Sequence, residues 1–195
     1  GNQYCSQAGT HVEPFGRAQV ETIALARISN MLPLVREARA RVRMDQEFRR
    51  RSLPTMLEDE PHGFIPKVPL FECLSTVAQH GCIRDLGYSA FRRWRLTCLD
   101  RDVLSQVRSG ATLTARLNTF ARVGRIEDTQ LDASLRVEGP ATRIMLSRGV
   151  RACTGFEYGE WIQIAATLGI VRDAVGTRAQ PLQLGRLPGG IPAGE

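Results

Sequence analysis

The sequence predicts an α+β fold: helices packed on a small antiparallel sheet, with a long C-terminal helix. Three observations lead there. Through most of the first 80 positions apolar residues recur at three- and four-residue spacings, the signature of helices with one buried face. Between 131 and 150 the pattern becomes strict alternation around Glu138-Gly139-Pro140, the signature of a hairpin. From Glu157 the helical spacing returns and continues to Val175. Helices and strands are thus segregated along the chain, not alternated as in parallel βα units.

Each element follows from its residues. Residues 1–14 are polar, contain Gly, Pro and Ser, and read as a loose arm. From Arg17 to Ile28, Val20, Ile23, Leu25 and Ile28 lie close to one helical face. Pro33 either breaks this pattern or opens the next helix, where its missing N–H is tolerated in the first turn. That helix carries Leu34, Val35, Ala38 and Val42 inward, with Arg36, Arg39, Arg41 and Arg43 on the remainder. A short helical stretch at 46–51 ends before Leu53-Pro54. The connector 54–69 holds Pro54, Pro61, Pro66 and Pro69, a density that forbids a long regular element; one turn of helix is expected at 54–58. A helix from Pro69 to His80 turns Phe71, Leu74, Val77 and Ala78 inward and stops at Gly81.

Leu86 to Thr97 reads as a short helix running into a strand, with no boundary legible between them. Thr112 to Val123 is a clear helix, with Leu113, Leu117 and Phe120 at helical spacing and Ser109 or Thr112 as cap. Leu131, Ala133, Leu135 and Val137 alternate with polar residues, as do Ile144 and Leu146 after the turn. The exposed face of this hairpin carries Arg136 and Arg143. Trp161, Ile164, Ala165, Leu168, Val171 and Val175 form the inner stripe of the last helix, which Gly176 ends.

Composition narrows the function classes. A chain of 195 residues buries about 70% of its extended surface on folding, enough for a core without metal or disulfide staples. No apolar run approaches the roughly 18 residues of a membrane helix, so no membrane partner is expected. The net charge is +6, and Lys67 is the only lysine, so the positive charge is almost all arginine. Arginine binds carboxylate and phosphate through a planar fork, though codon usage produces the same excess. Five cysteines, Cys5, Cys73, Cys82, Cys98 and Cys153, fit neither a disulfide framework nor a zinc site. Free thiols in the cytoplasm are the expectation. The start, Gly1-Asn2-Gln3-Tyr4, does not read as a signal peptide.

Chemistry-bearing patterns are few. His11 and His62 lie in loop sequence. His80, two residues before Cys82, reads as a helix C-terminal histidine favoured by the dipole. Glycines 185, 189 and 190 lack the following helix that a phosphate loop requires. The acidic runs Glu58-Asp59-Glu60 and Glu127-Asp128 read as solvated loop residues. No enzyme, cofactor or metal is therefore expected. The segment Phe91-Arg92-Arg93-Trp94-Arg95 is more informative. Arginines between aromatics can stack bases and hold phosphate, line a pocket for a small anionic or aromatic ligand, or simply pack rings inward and leave guanidinium groups in water. The seven arginines from Arg36 to Arg51 read as a solvated helix face or as a nucleic-acid surface.

Several stretches in a shared order resemble the N-terminal sensor region of AraC-type bacterial transcription regulators, in the arabinose-binding-like subgroup. Met31-Leu32-Pro33-Leu34-Val35-Arg36-Glu37-Ala38 resembles the first family helix. Leu53-Pro54, Leu57, Pro61 and Ile65-Pro66 match a short helix, a proline and an Ile-Pro step before the next helix, which Leu70 to Gly81 resembles. Leu86-Gly87 follows. Ala111-Thr112-Leu113 with Ala115 and Leu117 resembles a Thr-Leu helix start. Ile170-Val171-Arg172-Asp173-Ala174-Val175-Gly176, then Pro181, resembles the end of the long helix and its exit.

The likeness covers about residues 17–187. It implies an effector-sensing, dimerising domain: a small molecule binds here and changes DNA binding by a helix-turn-helix module elsewhere on the polypeptide. The expected organisation is a flexible arm at 1–14, a single effector-sensing domain at 15–187, and a tail at 188–195 leading on to that module. The resemblance names no ligand residues. From the residues themselves, the expected pocket lies between segment 88–95 and the 112–123 helix. Tyr88, Phe91, Trp94 and Phe120 would form its walls, and Arg93 or Arg95 would pair an anion. The alternative is a direct nucleic-acid-binding protein using the arginine-rich faces.

Overall fold

The computed structural model describes residues 23–139, 141–148 and 153–177. Its fold is α+β, with seven helices and two antiparallel two-stranded ribbons among these residues. The readings of 1–14 and 178–195 lie outside them.

The chain enters as strand β1 (Leu25–Arg27), which runs directly into helix α1 (Ile28–Arg39). This corrects the helix expected up to Ile28. Pairing overrides local spacing here: β1 lies antiparallel to β2 (Phe64–Pro66), with Ala26 opposite Ile65, and bridges on its other side to Asp128. Pro33 accordingly sits in the second turn of α1, not at its start. There it removes only the bond that the Ser29 carbonyl would accept. The open N-terminus of α1 is closed by the proline connector: the N–H groups of Ile28 and Ser29 donate to the carbonyls of Gly63 and Pro61, both at 2.9 Å.

Helix α2 (Asp45–Arg50) and a short 3-10 turn at Leu57–Asp59 follow. Helix α3 (Lys67–His80) starts two residues earlier than the spacing predicts, with Pro69 in its first turn where no N–H is needed. Helix α4 (Leu86–Arg93) is the helical half of the ambiguous segment, but no strand follows it. Trp94 is extended, and Leu96–Cys98 forms a 3-10 turn. The next helix, α5 (Arg101–Arg108), was not anticipated. Asp100 caps it by accepting from Asp102 N at 2.9 Å, and Val103 and Val107 bury its inner face. Helix α6 (Leu113–Val123) is capped as expected, with Thr112 Oγ1 accepting from Ala115 N.

The hairpin forms from β3 (Leu131–Glu138) and β4 (Ala141–Arg148), with Glu138 opposite Ala141. Gly139 has φ of 60°, a left-handed conformation that glycine takes without steric cost. Arg136 faces Arg143 across the ribbon, and Arg143 pairs with Glu138 at 3.1 Å.

Helix α7 (Glu157–Val175) runs as predicted, but its burial is broader than one stripe. Ile162, Ala165, Ala166, Leu168 and Ile170 are all buried, while Val175 is exposed. A helix that is apolar on more than one side is a central helix. α7 packs on α4, α6 and α1, and the core gathers around it and around α1 and α3. Among the described residues no helix is long and apolar enough to cross a membrane.

Candidate functional site

The aromatic–arginine segment packs one side on α7 and leaves Tyr88 half exposed. Tyr88 stacks on Phe91, with ring centroids 6.0 Å apart, and both rings meet Trp161 of α7 at 5.6 and 5.7 Å. Gly87 permits this approach: a Cβ there would stand 2.2 Å from Trp161 Cδ1. Trp94 is buried against Gly169, and its indole nitrogen has no partner. Arg93 pairs with Glu37 at 2.9 Å. Arg95 donates to the carbonyls of Arg92 and Trp94, satisfying acceptors at the end of α4. Phe120 lies elsewhere. α4 and α6 each pack on α7, and neither of the two best-formed concavities among the described residues is lined by any residue of 88–95. The pocket expected between segment 88–95 and α6 is thus neither of these two concavities. The rings find partners in one another and in α7, and the two guanidinium groups find partners in Glu37 and in backbone.

A different site forms where β1 meets the segment 127–129. β1 lies between β2 and the segment 127–129: Arg27 N donates to Glu127 O at 2.7 Å, and Thr129 N to Leu25 O at 3.0 Å. This pairing gathers Arg27, Asn30, Lys67, Asp100, Glu127 and Asp128. Five of these are almost fully covered: Arg27 at 8% exposure, Asn30 at 5%, Lys67 at 3%, Glu127 at 3% and Asp128 at 9%. Glu127 and Asp128, expected to be solvated, are thus core residues, while Glu58, Asp59 and Glu60 are exposed as expected. Burial of that kind is tolerated only with partners, and the partners are present. Lys67 Nζ donates to both carboxylate oxygens of Asp128, at 2.9 and 2.7 Å. Glu127 Oε1 accepts from Asp100 N at 2.7 Å, and Oε2 accepts from Asn30 Nδ2 at 2.5 Å. Arg27 Nη1 donates to His62 O at 2.7 Å and lies 3.5 Å from Asp100 Oδ2. Its Nε is 3.4 Å from Glu127 Oε2 but lacks the alignment of a hydrogen bond. The Phe64 ring covers its guanidinium at 4.9 Å.

Two features of this cluster are incomplete. Removal from water raises the Glu127 carboxyl above its ordinary range, an effect its hydrogen bond from Asp100 N and the charge of Arg27 only partly offset. Asn30 Oδ1 is buried and accepts from nothing. The amide cannot be turned to relieve this, because its oxygen would then face the Glu127 carboxylate. Beside these groups is a small recess of about 30 Å³. α1 lines it with Asn30 and Met31, α6 with Phe120, and α7 with Gly159, Ile162, Gln163 and Ala166. Leu99 and the 127–131 segment complete it. A wider groove of about 340 Å³ lies on the surface of the connector, between Ile28 and residues 54–60.

One sequence signal points here. In a chain whose basic residues are otherwise arginine, one lysine stands at the end of the proline connector, and an adjacent acid pair lies between Ile126 and Leu131. Among the described residues no group of three His, Cys, Asp or Glu side chains is placed to hold a metal. Cys73, Cys82, Cys98 and Cys153 are free thiols, and burial pushes that of Cys73 up to about 11. No family model matches the chain, and no curated protein matches it.

Proposed function

We propose that this chain is an effector-sensing and dimerisation domain of an AraC-type bacterial transcription regulator. It binds a small molecule and so changes DNA binding by a helix-turn-helix module elsewhere on the polypeptide, in the cytoplasm and without catalysis. The observation that carries the reading is the recess between α1, α6 and α7, where the buried polar residues Asn30, Glu127 and Asp128 join a largely apolar lining. A ligand there bears on four residues of α7, the helix against which α1, α4 and α6 all pack. Sensing needs a ligand whose affinity differs between two arrangements of the protein, and a ligand wedged against a shared helix supplies such a difference.

The element order gives separate support. The Ile65-Pro66 step precedes α3, Thr112 caps α6, and the long helix ends at Gly176, each where the resemblance calls for it. The direct nucleic-acid reading draws less support. Of the arginines on the 36–51 stretch, Arg36 and Arg39 reach Glu58, Arg41 reaches Glu37 and Asp85, Arg50 reaches Glu47, and Arg51 reaches Glu72. Guanidinium groups held by carboxylates are less available to phosphate.

A mobility shift with the 195-residue chain separates the two readings. The sensor reading predicts no retained complex with duplex DNA at 150 mM salt. Tight binding that weakens steeply between 50 and 200 mM salt would replace it with the direct-binder reading.

A further inference from the structure

We infer that the outer edge of β4 is a dimer interface: two copies of this chain pair their β4 strands antiparallel about a twofold axis and join their ribbons into one four-stranded sheet. The inference rests on the dimerisation half of the proposal above and names its surface; it does not depend on an effector. Hydrogen bonds define the edge. Among the described residues β4 is bonded to no strand but β3, in an unbroken register from Leu131 opposite Arg148 to Glu138 opposite Ala141. Leu131 bonds away from β4: its N–H donates to Asp128 O at 2.9 Å, and its carbonyl accepts from Arg125 Nε at 3.3 Å. Antiparallel ladders alternate. Arg143 and Met145 therefore bond to β3, and the N–H and C=O groups of Thr142, Ile144 and Leu146 point outward. No backbone group meets them among the described residues. An edge of this kind, long and without proline, accepts another strand.

The strand that fits is β4 itself. A twofold axis normal to the sheet keeps each face on its own side. Placed at Met145, it sets Ile144 opposite the partner's Leu146 and Met145 opposite the partner's Met145, apolar against apolar. Ile144 and the partner's Leu146, both pointing outward, then exchange N–H and C=O bonds. Arg143 lies about 13 Å along the strand from the partner's Arg143, beyond the roughly 8 Å over which charges act at physiological salt. Its own Glu138 holds it at 3.1 Å. An axis at Ile144 would instead face Arg143 with Met145, and an axis at Arg143 would oppose like charges. The helices leave room for this pairing. α6 packs on β3 rather than on β4. Joined β4 edges set the two β3 strands about 14 Å apart, more than the about 8–10 Å at which packed helices lie. Leu135, Ile144 and Leu146, already partly buried against the core, become one apolar face across both copies. Because each copy uses the same edge, association closes at two.

Sedimentation velocity on the 195-residue chain, across micromolar concentrations, is expected to show a reversible dimer. Ile144→Pro removes one outward N–H from each copy, hence two hydrogen bonds per dimer, and spares the β3 ladder. It should raise the dissociation constant about tenfold or more. Met145→Cys gives an independent reading that keeps every ladder bond. Facing residues that exchange no bonds lie about 4.5 Å apart, within disulfide reach. Mild oxidation should therefore yield about threefold or more covalent dimer than wild type, whereas Arg143→Cys should yield no excess. A wild type that stays monomeric, a folded Ile144→Pro variant that dimerises as tightly as wild type, or equal cross-linking of the two cysteine variants overturns the inference. So does protection of the Ile144 and Leu146 amides from hydrogen exchange in a monomer, which would mean that another segment of chain covers the edge. Failure of the sensing reading looks different: the β4 dimer would form as described, while no metabolite would change the melting temperature of the chain. A dimer indifferent to Ile144→Pro keeps the dimerisation reading and discards this surface alone.

Discussion

At the scale of single residues, the molecule's character is set by charged groups that fold inward. Glu127 is held by Asn30 and by the backbone N–H of Asp100, yet burial still raises its carboxyl above the ordinary value of 4.5. An acid whose folded value is raised contributes stability that is complete below its unfolded value and is lost as pH climbs through the folded one. Glu127→Gln removes this titration. Urea denaturation of both proteins should therefore show the variant gaining relative to wild type as pH rises from 4.5 to 7. A difference that stays constant across that window would mean that Glu127 is ionised at its ordinary value. Lys67 bears on the cluster more bluntly. Lys67→Met leaves Asp128 as an uncompensated buried charge, and by analogy with other broken buried pairs it should destabilise the fold by about 3–5 kcal/mol. In the Lys67→Met/Asp128→Leu double variant, much of that loss should be recovered, as read by the urea midpoint. These residues were poorly legible in the sequence. Glu127-Asp128 has the composition of a solvated turn, and only the pairing of β1 with residues 127–129, across a hundred positions of chain, turns it inward.

At the scale of elements, local signals were read well wherever one element decides its own fate. Thr112 caps α6, the alternation at 131–138 makes a strand, and α7 has the predicted limits. Signals failed where a neighbour decides. β1 carries helical spacing but is claimed by β2, and the strand expected in the later part of 86–97 does not form. α5 was missed although Asp100 as cap and Val103 and Val107 at helical spacing were present, because eight residues give too short a period to stand out. Two substitutions test the packing that replaced the expected pocket. Gly87→Ala places a methyl against Trp161 and should destabilise the α4–α7 contact by about 1–3 kcal/mol, with a change in tryptophan emission. Thr112→Ala removes the α6 cap and should lower stability by about 1 kcal/mol, leaving that emission unchanged. Equal stability of the Gly87 variant and wild type in thermal denaturation would show that Trp161 yields freely, and that the aromatic cluster can open.

At the scale of the whole molecule, α7 is the common wall: α4 lies on one part of it, α6 on another, and α1 beside the recess. The α+β class was legible in the order of patterns along the chain, while the site was not. The aromatic–arginine segment advertises a binding surface in sequence; in the fold Tyr88 and Phe91 pack on Trp161, Arg93 pairs with Glu37 and Arg95 bonds to backbone. The polar recess assembles from α1, α6, α7 and two loops, none of which carries a recognisable motif alone. The most direct test of the sensing account is the melting temperature of the chain across a panel of small metabolites. A ligand at a hundred times its dissociation constant adds about 2.7 kcal/mol, which for a chain of this size raises the midpoint by roughly 5–10 °C. The account predicts a saturable rise of that size with at least one small metabolite. A midpoint that stays flat for every metabolite in the panel, or that rises only with duplex DNA, would contradict it.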